Sequence, residues 1–599
     1  MNTEKRNCQN CKNQFTIESE DFDFYQKMSV PPPTWCPECR LIRRMIWRNE
    51  KIFYKRKDAH SGENIFTMFH PDVDIKIYEH SYWWSDFWDG IDYGRDYNFD
   101  RPFFEQFKEL LKDVPWFSRS ANDIVNSEYA MTSGYLKNCY MVFDSDHAEE
   151  CLYCVGLVNT KDSIDNLLLL SSELCYGTFA CANVSRAFYS IDCNQSSDIW
   201  FCEECEACSN CVGCRNLRHK QYCIFNTQYT KEEFQKEFEK LQLHTRSGRD
   251  IFTKRFAEFS LKFPIKSMLE SHNTNCTGDF VTYSKNVKES YLVRGGENLK
   301  YCQSLYTPPG SRDCYDYTIW GQNAERIYEC CQVGGDVSDI TFGAWLYPNC
   351  SSVRYSVACP FSSNIFGCFG LKRKQYCILN KQYTKEEYEK LLPKIIKHMN
   401  DVPYIDRVGR VYGFGEFFPP ELSPFAYNET IAQDFFPLSK TDAEKNGYAW
   451  HEGIEKQYNS TLSWKDLPDS IKDVDDSILN QIILCRSWDE NQGSAIEHNC
   501  TKAFRITPEE LQFYRRFNIP IPDRCFYSRH HERAKHRNPI RLWPRKCMCE
   551  GIKSEGGVYE NTIKHEHGDT PCKEPFETSY APERPEIVYC DKCFWKEFL

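Results

Sequence analysis

Cys139, Cys151, Ser163, Cys175, Ala187, Ile199, Cys211 and Cys223 recur every twelve residues. Each is followed by an apolar or aromatic residue, and polar pairs such as Lys-Asn, Glu-Glu or Ser-Asn usually precede it. A short, strict period of β-favouring residues between polar corners leaves few options. Equivalent strands must stack on one another, as they do in a parallel β-solenoid. Twelve residues is short for one coil, so the expectation is two units per turn, roughly 24 residues, within the usual repeat range. A second array follows at Ser290, Cys302, Cys314, Arg326, Ile340, Val353, Ile365 and Cys377, with two slips in register. The arrays close on nearly the same words, GCRNLRHKQYCIFNTQYTKEEF and GCFGLKRKQYCILNKQYTKEEY, 154 residues apart, which marks an internal duplication. Thr230/Glu233 and Thr384/Glu387 fit capping boxes. A helix is therefore expected after each array, covering its open sheet edge.

The chain ends carry a second duplication. Cys8-x2-Cys11 and Cys36-x2-Cys39 form two CxxC knuckles, the spacing that wraps one tetrahedral zinc in four thiolates. A constant offset of 489 aligns Cys11 with Cys500, Phe24-Tyr25 with Phe513-Tyr514, Cys36 with Cys525 and Arg48-Asn49 with Arg537-Asn538. In that register Cys8 falls on Glu497 and Cys39 on Ser528, so the second copy is not expected to bind zinc in the same way. Further on the pattern of loss reverses. Asp58 and His60 align with Cys547 and Cys549, and YEHSYWW resembles YCDKCFW, which places Glu79 and Tyr82 where Cys590 and Cys593 stand. Each end thus reads as a two-knuckle module that has kept one site. The second zinc is expected on Cys547, Cys549, Cys590 and Cys593, with Cys572 or His567 able to replace one of them. Four thiolates leave no open position, so both zincs would be structural.

The net charge of -12 argues against a uniformly basic coat protein, but both modules are locally basic. Between Arg40 and Lys57 there are eight Lys/Arg against one acid, and between Arg515 and Lys546 ten against two. RLIRRMIWRNEK predicts a short helix with Arg40, Arg43, Arg44 and Arg48 along one face. Arg529, Arg533 and Arg537 repeat it in the second copy. These arginines are the candidate nucleic-acid contacts, to RNA or ribonucleoprotein, with Trp47 a candidate for stacking. A protein partner on the solenoid face is the alternative. There is no apolar run of membrane-spanning length and no apolar leader, so a cytoplasmic protein without membrane contact is expected, its 33 cysteines held as thiols or metal thiolates.

Cys202, Cys205, Cys208, Cys211 and Cys214 lie close enough in sequence to raise an iron–sulfur cluster. The matching positions of the second array are Ser356, Cys359, Ser362, Ile365 and Cys368, a pattern that favours packing over ligation. Asp144, Asp146, Glu149 and Glu150 could form the carboxylate pairs of a polysaccharide-cleaving solenoid, but turn carboxylates are ordinary solvated corners of repeats. Phosphate loops, dinucleotide fingerprints, nucleophile elbows and metalloprotease helices are absent from the sequence, so no enzyme is expected.

The opening CxxC…PPPTWCPECR…RN, the array ending LKRKQYCILNKQYTKEEYEK and the C-terminal FETSYAPERPEIVYCDKC together resemble a family of zinc-ribbon, cysteine-rich repeat proteins from genome-reduced candidate-phylum bacteria. The resemblance covers nearly the whole chain. It implies the architecture and brings no established activity; a CoA-transferase label carried by some members finds no support in this sequence. The expected fold is multi-domain and mainly β, with zinc-ribbon or treble-clef-like modules at both termini flanking two helix-capped, parallel β-solenoid-like arrays. Residues 1–57 would form the first zinc module, 58–120 a degenerate second knuckle and an amphipathic helix, and 121–228 the first array with its cap at 229–270. The second array would occupy 271–382 with its cap at 383–400, followed by an irregular linker at 401–480. A degenerate module copy at 481–546 and the C-terminal zinc module at 547–599 complete the chain.

Overall fold

A computed structural model describes residues 3–306, 310–321, 324–452 and 459–599, the side chains of residues 270 and 271 excepted. The chain is mainly β and forms parallel solenoids, but one coil takes twelve residues rather than two units of twelve. In the first array Ala187 pairs with Ile199, Ile199 with Cys211 and Cys211 with Cys223, all in parallel register. The same offset links Glu203 to Arg215 and Glu206 to Arg218 on the neighbouring sides. A coil this small closes because the chain turns at every third residue. Asn138, Met141, Asp144, His147, Glu150 and Tyr153 all have φ between 50° and 57°, in the left-handed region. Each such residue costs an L-amino acid roughly 1–2 kcal/mol. Parallel ladders on successive sides offset that cost, and the third-residue turn makes every third side chain point inward.

The bore is correspondingly narrow and is lined by Cys, Ser, Ala, Val, Thr, Leu and Ile. Serine and cysteine serve there interchangeably. Ser190 Oγ donates to Phe188 O (3.1 Å) and accepts from the Cys202 amide one coil on (3.2 Å). Cys202 Sγ in turn faces Trp200 O and Cys211 O at 3.5 and 3.4 Å. Cys205, Cys208, Cys211 and Cys214 repeat this, each thiol directed at two backbone carbonyls. They are small buried fillers with a weak donor, and none of them belongs to a group of side chains close enough to hold a metal among the described residues.

The second array is less regular. Leu299 pairs with Cys314 across an inserted stretch, and later coils run at thirteen and then twelve residues. Its ladder passes through Val287, Leu299, Cys314, Ile340, Val353, Ile365 and Cys377. Ser290 and Cys302 stand on a neighbouring side, and the bridge from Glu325 to Ser338 puts Ile327, not Arg326, beside Ile340. Both capping boxes form, on helices Lys231–Lys240 and Lys385–Asp401. Phe234 packs on Tyr222 and Tyr388 on Tyr376, so the two caps seal their arrays alike.

The chain gathers into two compact units, each built from two separated segments. Residues 1–119 and 270–451 make one, and residues 120–269 and 452–599 make the other. The first therefore joins the N-terminal module to the second array, and the second joins the C-terminal module to the first array. Each unit closes its module with a parallel strand pair: Ile77–Tyr78 with Trp116–Phe117 in one, Val588–Tyr589 with Ile265–Lys266 in the other. Each also lays a helix against its array at a left-handed glycine. A Cβ on Gly367 would meet the Phe103 ring of helix Phe103–Asp113 at 2.6 Å, and one on Gly213 the Phe252 ring of helix Arg246–Ser260 at 2.7 Å. These glycines open the two matching array endings read from the sequence. The segment 401–451 is irregular but packed, with Phe417, Phe418, Phe425 and Tyr427 buried.

Candidate metal centres and the arginine helices

The helix of the first knuckle spans Pro37–Met45, shorter than RLIRRMIWRNEK, so Arg48 lies beyond its end. It packs on the second array with its arginines inward. Arg40, Arg43, Arg44 and Arg48 are at most 1 % exposed. Arg40 donates from Nε to both oxygens of Asp316 (3.1 Å each) and from Nη1 to Trp35 O (2.8 Å). Arg44 shares that carboxylate from Nη1 (2.8 Å) and adds Thr318 Oγ1 (2.9 Å). Arg43 lies over the Trp35 ring and joins Glu329 to Glu416. Arg48 donates to Gln303 Oε1 and pairs with Glu50. Trp47 is fully buried against Trp345 and Phe418. Burial opposes the charge on Arg40 and Arg43, yet the facing carboxylates hold both pKa values well above the ordinary guanidinium range.

The second copy repeats the arrangement on the first array. Within helix Phe526–Ala534, Arg529 and Arg533 share Asp165 at 3.1 and 3.2 Å, and Arg529 also faces Glu510. Arg537 falls past the helix end and is half-buried. The basic stripes thus face solenoid carboxylates, not solvent, which corrects the expectation that Arg40, Arg43, Arg44, Arg48, Arg529 and Arg533 meet phosphate. The sequence did hold a sign of this. An Arg pair spaced i, i+4 recurs at the offset of 489, and a left-handed aspartate awaits each pair, Asp316 in one array and Asp165 in the other.

Cys8, Cys11, Cys36 and Cys39 converge, all four sulfurs within 4.8 Å of one another. The Cys36 amide donates to Cys8 Sγ (3.2 Å), and Cys11 and Cys36 sulfurs are 3.8 Å apart. Thiols this crowded cannot all ionise without a cation among them, and four soft donors around one point fit a tetrahedral ion. In the C-terminal module the four-sulfur group is Cys547, Cys572, Cys590 and Cys593. Cys572 takes the place expected of Cys549. The knuckle contact is the same: the Cys590 amide donates to Cys547 Sγ at 3.2 Å, with Cys572 and Cys590 sulfurs 3.9 Å apart.

Cys549 instead joins His565, His567 and again Cys593 in an adjoining group. Hydrogen bonds from Cys547 and Cys593 draw Cys590 down to about 2, and one from Cys593 draws Cys549 down to about 5. Cys593 is pushed up, because its sulfur faces Cys547, Cys549 and Cys590 at once. In the N-terminal module the equivalent place has been refilled without sulfur. Asp58 accepts the Glu79 amide (3.2 Å) as Cys547 accepts that of Cys590, and His60 stacks on Tyr82 at 3.8 Å where Cys549 and Cys593 would stand.

A further cluster, Cys485, Cys500 and Cys525, occupies the copy in which half the ligands had looked lost. Cys485 precedes the aligned stretch and so was not found by the offset. Among the described residues no helix is long and apolar enough to cross a membrane. No family model and no curated protein matches this chain.

Proposed function

We propose that this is a non-enzymatic interaction scaffold, in which structural zinc fixes the terminal modules and the outward solenoid faces receive a protein partner. The burial of the arginine helices carries the reading. The chain's densest cations are spent on Asp316, Glu329, Glu416 and Asp165, so the arginines that phosphate recognition would use are committed inside the fold. The outward ladders are of mixed sign, as in Lys137–Glu149–Lys161 and Arg186–Asp198. Paired with two lysines, Glu149 is held down at about 2, which supports reading it as a solvated corner. Each array also displays one exposed aromatic–imidazole stack, Tyr135 on His147 at 4.5 Å and Tyr283 on His272 at 4.7 Å. Tyrosines 54 % and 45 % exposed at such places are typical of protein interfaces.

Two measurements on the full-length chain test this. A photo-crosslinking residue in place of Tyr135 or Tyr283 should capture protein in cells, and salt-titrated binding to single-stranded RNA should give no tight complex. Tight RNA binding with a steep salt slope would establish the nucleic-acid reading in its place, through cations other than the buried arginines.

A further inference from the structure

The two ligand groups of the C-terminal module share one sulfur, and we propose that they form a single two-metal cluster bridged by the Cys593 thiolate. One ion would sit among Cys547, Cys572, Cys590 and Cys593, the other among Cys549, His565, His567 and Cys593, each with four donors. Both imidazoles are prepared for this. His565 Nε2 lies 3.2 Å from Glu597 Oε2, with both side chains at most 1 % exposed, which leaves Nδ1 free to ligate. His567 Nδ1 is 2.6 Å from Thr570 O, a carbonyl that can only accept, which turns the Nε2 lone pair toward Cys593 at 3.4 Å. A carboxylate or carbonyl behind each ligating histidine is the usual support of a metal site. Asn561 Nδ2 donates to Cys549 Sγ (3.3 Å), as amides do to metal thiolates, and Glu597 is itself fixed by Tyr559 OH and the Thr562 amide and hydroxyl. Charge favours the bridge as well. Five thiolates and two neutral imidazoles around two dications leave one net negative charge, where four thiolates around a single ion leave two.

The expected readout is cobalt substitution of the full chain. At full loading the paramagnetic signal should fall short of the bound Co2+ count by about two ions, because the pair couples across the shared sulfur while ions at the Cys8–Cys39 and Cys485–Cys525 groups stay isolated. By native mass spectrometry, His565→Ala with His567→Ala should lower the zinc count by one, and Cys593→Ser by two. An unchanged count in the histidine variant, or a paramagnetic signal at full loading that accounts for every bound Co2+, overturns the cluster. The cobalt experiment needs no variant, so a misfolded mutant does not decide the outcome.

A different observation carries a second site. Cys485, Cys500 and Cys525 reproduce the contacts of the N-terminal knuckle: the Cys525 amide donates to Cys485 Sγ at 3.3 Å, and the Cys500 and Cys525 sulfurs are 3.6 Å apart. On the fourth side, in place of Cys39, stands buried Ser528, its Oγ 3.5 and 3.6 Å from two of the sulfurs and 2.9 Å from His498 Nε2. We infer a zinc-class site of three thiolates completed by a nitrogen or oxygen donor. Cys485→Ser should remove one ion from the count. In the unmutated chain Cys500, the least buried of the three, should resist alkylation until a chelator is added. Alkylation indifferent to chelator, or an unchanged ion count, overturns it.

Discussion

A guanidinium buried between carboxylates is stable only as a pair. Arg43 and Glu329 are both fully buried, so removing either one strands the other's charge. Arg43→Ala or Glu329→Gln should lower unfolding stability by about 3–5 kcal/mol. The loss should persist at high salt, where a surface pair would no longer matter; an effect under about 1 kcal/mol in denaturant titrations would contradict the burial. Histidines give the pH dependence. Burial holds His70, His80 and His536 below the ordinary imidazole value. A depressed folded pKa means that the unfolded chain takes up protons the folded chain refuses. Their stabilisation is thus present above about pH 6.5 and lost as pH falls below it. Denaturation midpoints should drop between about pH 7.5 and 5.5, with a shallower slope in His80→Gln; a flat profile in the parent chain counts against this. At this scale the ligands of the first knuckle were legible, since two CxxC turns leave little choice. The choice between Cys549 and Cys572 stayed open, because CMC and a distant lone cysteine offer equal chemistry and only the fold brings Cys572 to the knuckle.

The solenoid coil is set by a conformation that the sequence states faintly. A period of twelve was plain, but its division into three-residue sides depends on left-handed residues, and tyrosine, leucine and phenylalanine hold many of those places beside the expected asparagine and aspartate. Composition at every third position was the signal available, and it was diluted by the ladders those side chains build. Ala207, with φ of 51°, makes the point testable. Ala207→Gly should stabilise the first array by up to about 1 kcal/mol and Ala207→Val should destabilise it; the reverse order would refute the left-handed corner. Inside the bore, Cys205→Ser should be tolerated, because serine already occupies equivalent places. Cys205→Trp should cost about 1–3 kcal/mol by overpacking. The thermal unfolding midpoint reports both.

Across the whole molecule the offsets of 489 and 154 revealed what had been copied, but not which copy sits with which. Each module belongs with the array of the other half, because the partners of its arginines lie there. Neither half of the chain therefore contains a complete unit. A fragment of residues 1–269 holds the N-terminal module without Asp316 and Glu329, and the first array without its C-terminal module. It should be insoluble or lack cooperative unfolding when made alone, and should recover both when produced together with residues 270–599. A cooperative, soluble 1–269 fragment would show that the two halves of the chain are not interdependent in this way.

The same interleaving puts a delay into synthesis. Arg40 is polymerised 276 residues before the aspartate it rests on. At about 5–20 residues per second, that separation lasts from roughly a quarter of a minute to a minute. The four knuckle cysteines, all within residues 8–39, are complete early in that interval. The helix they anchor then leaves the ribosome finished but undocked, its arginines still in water. Asp316 and Glu329, the carboxylates on which that helix docks, follow only as the second solenoid emerges.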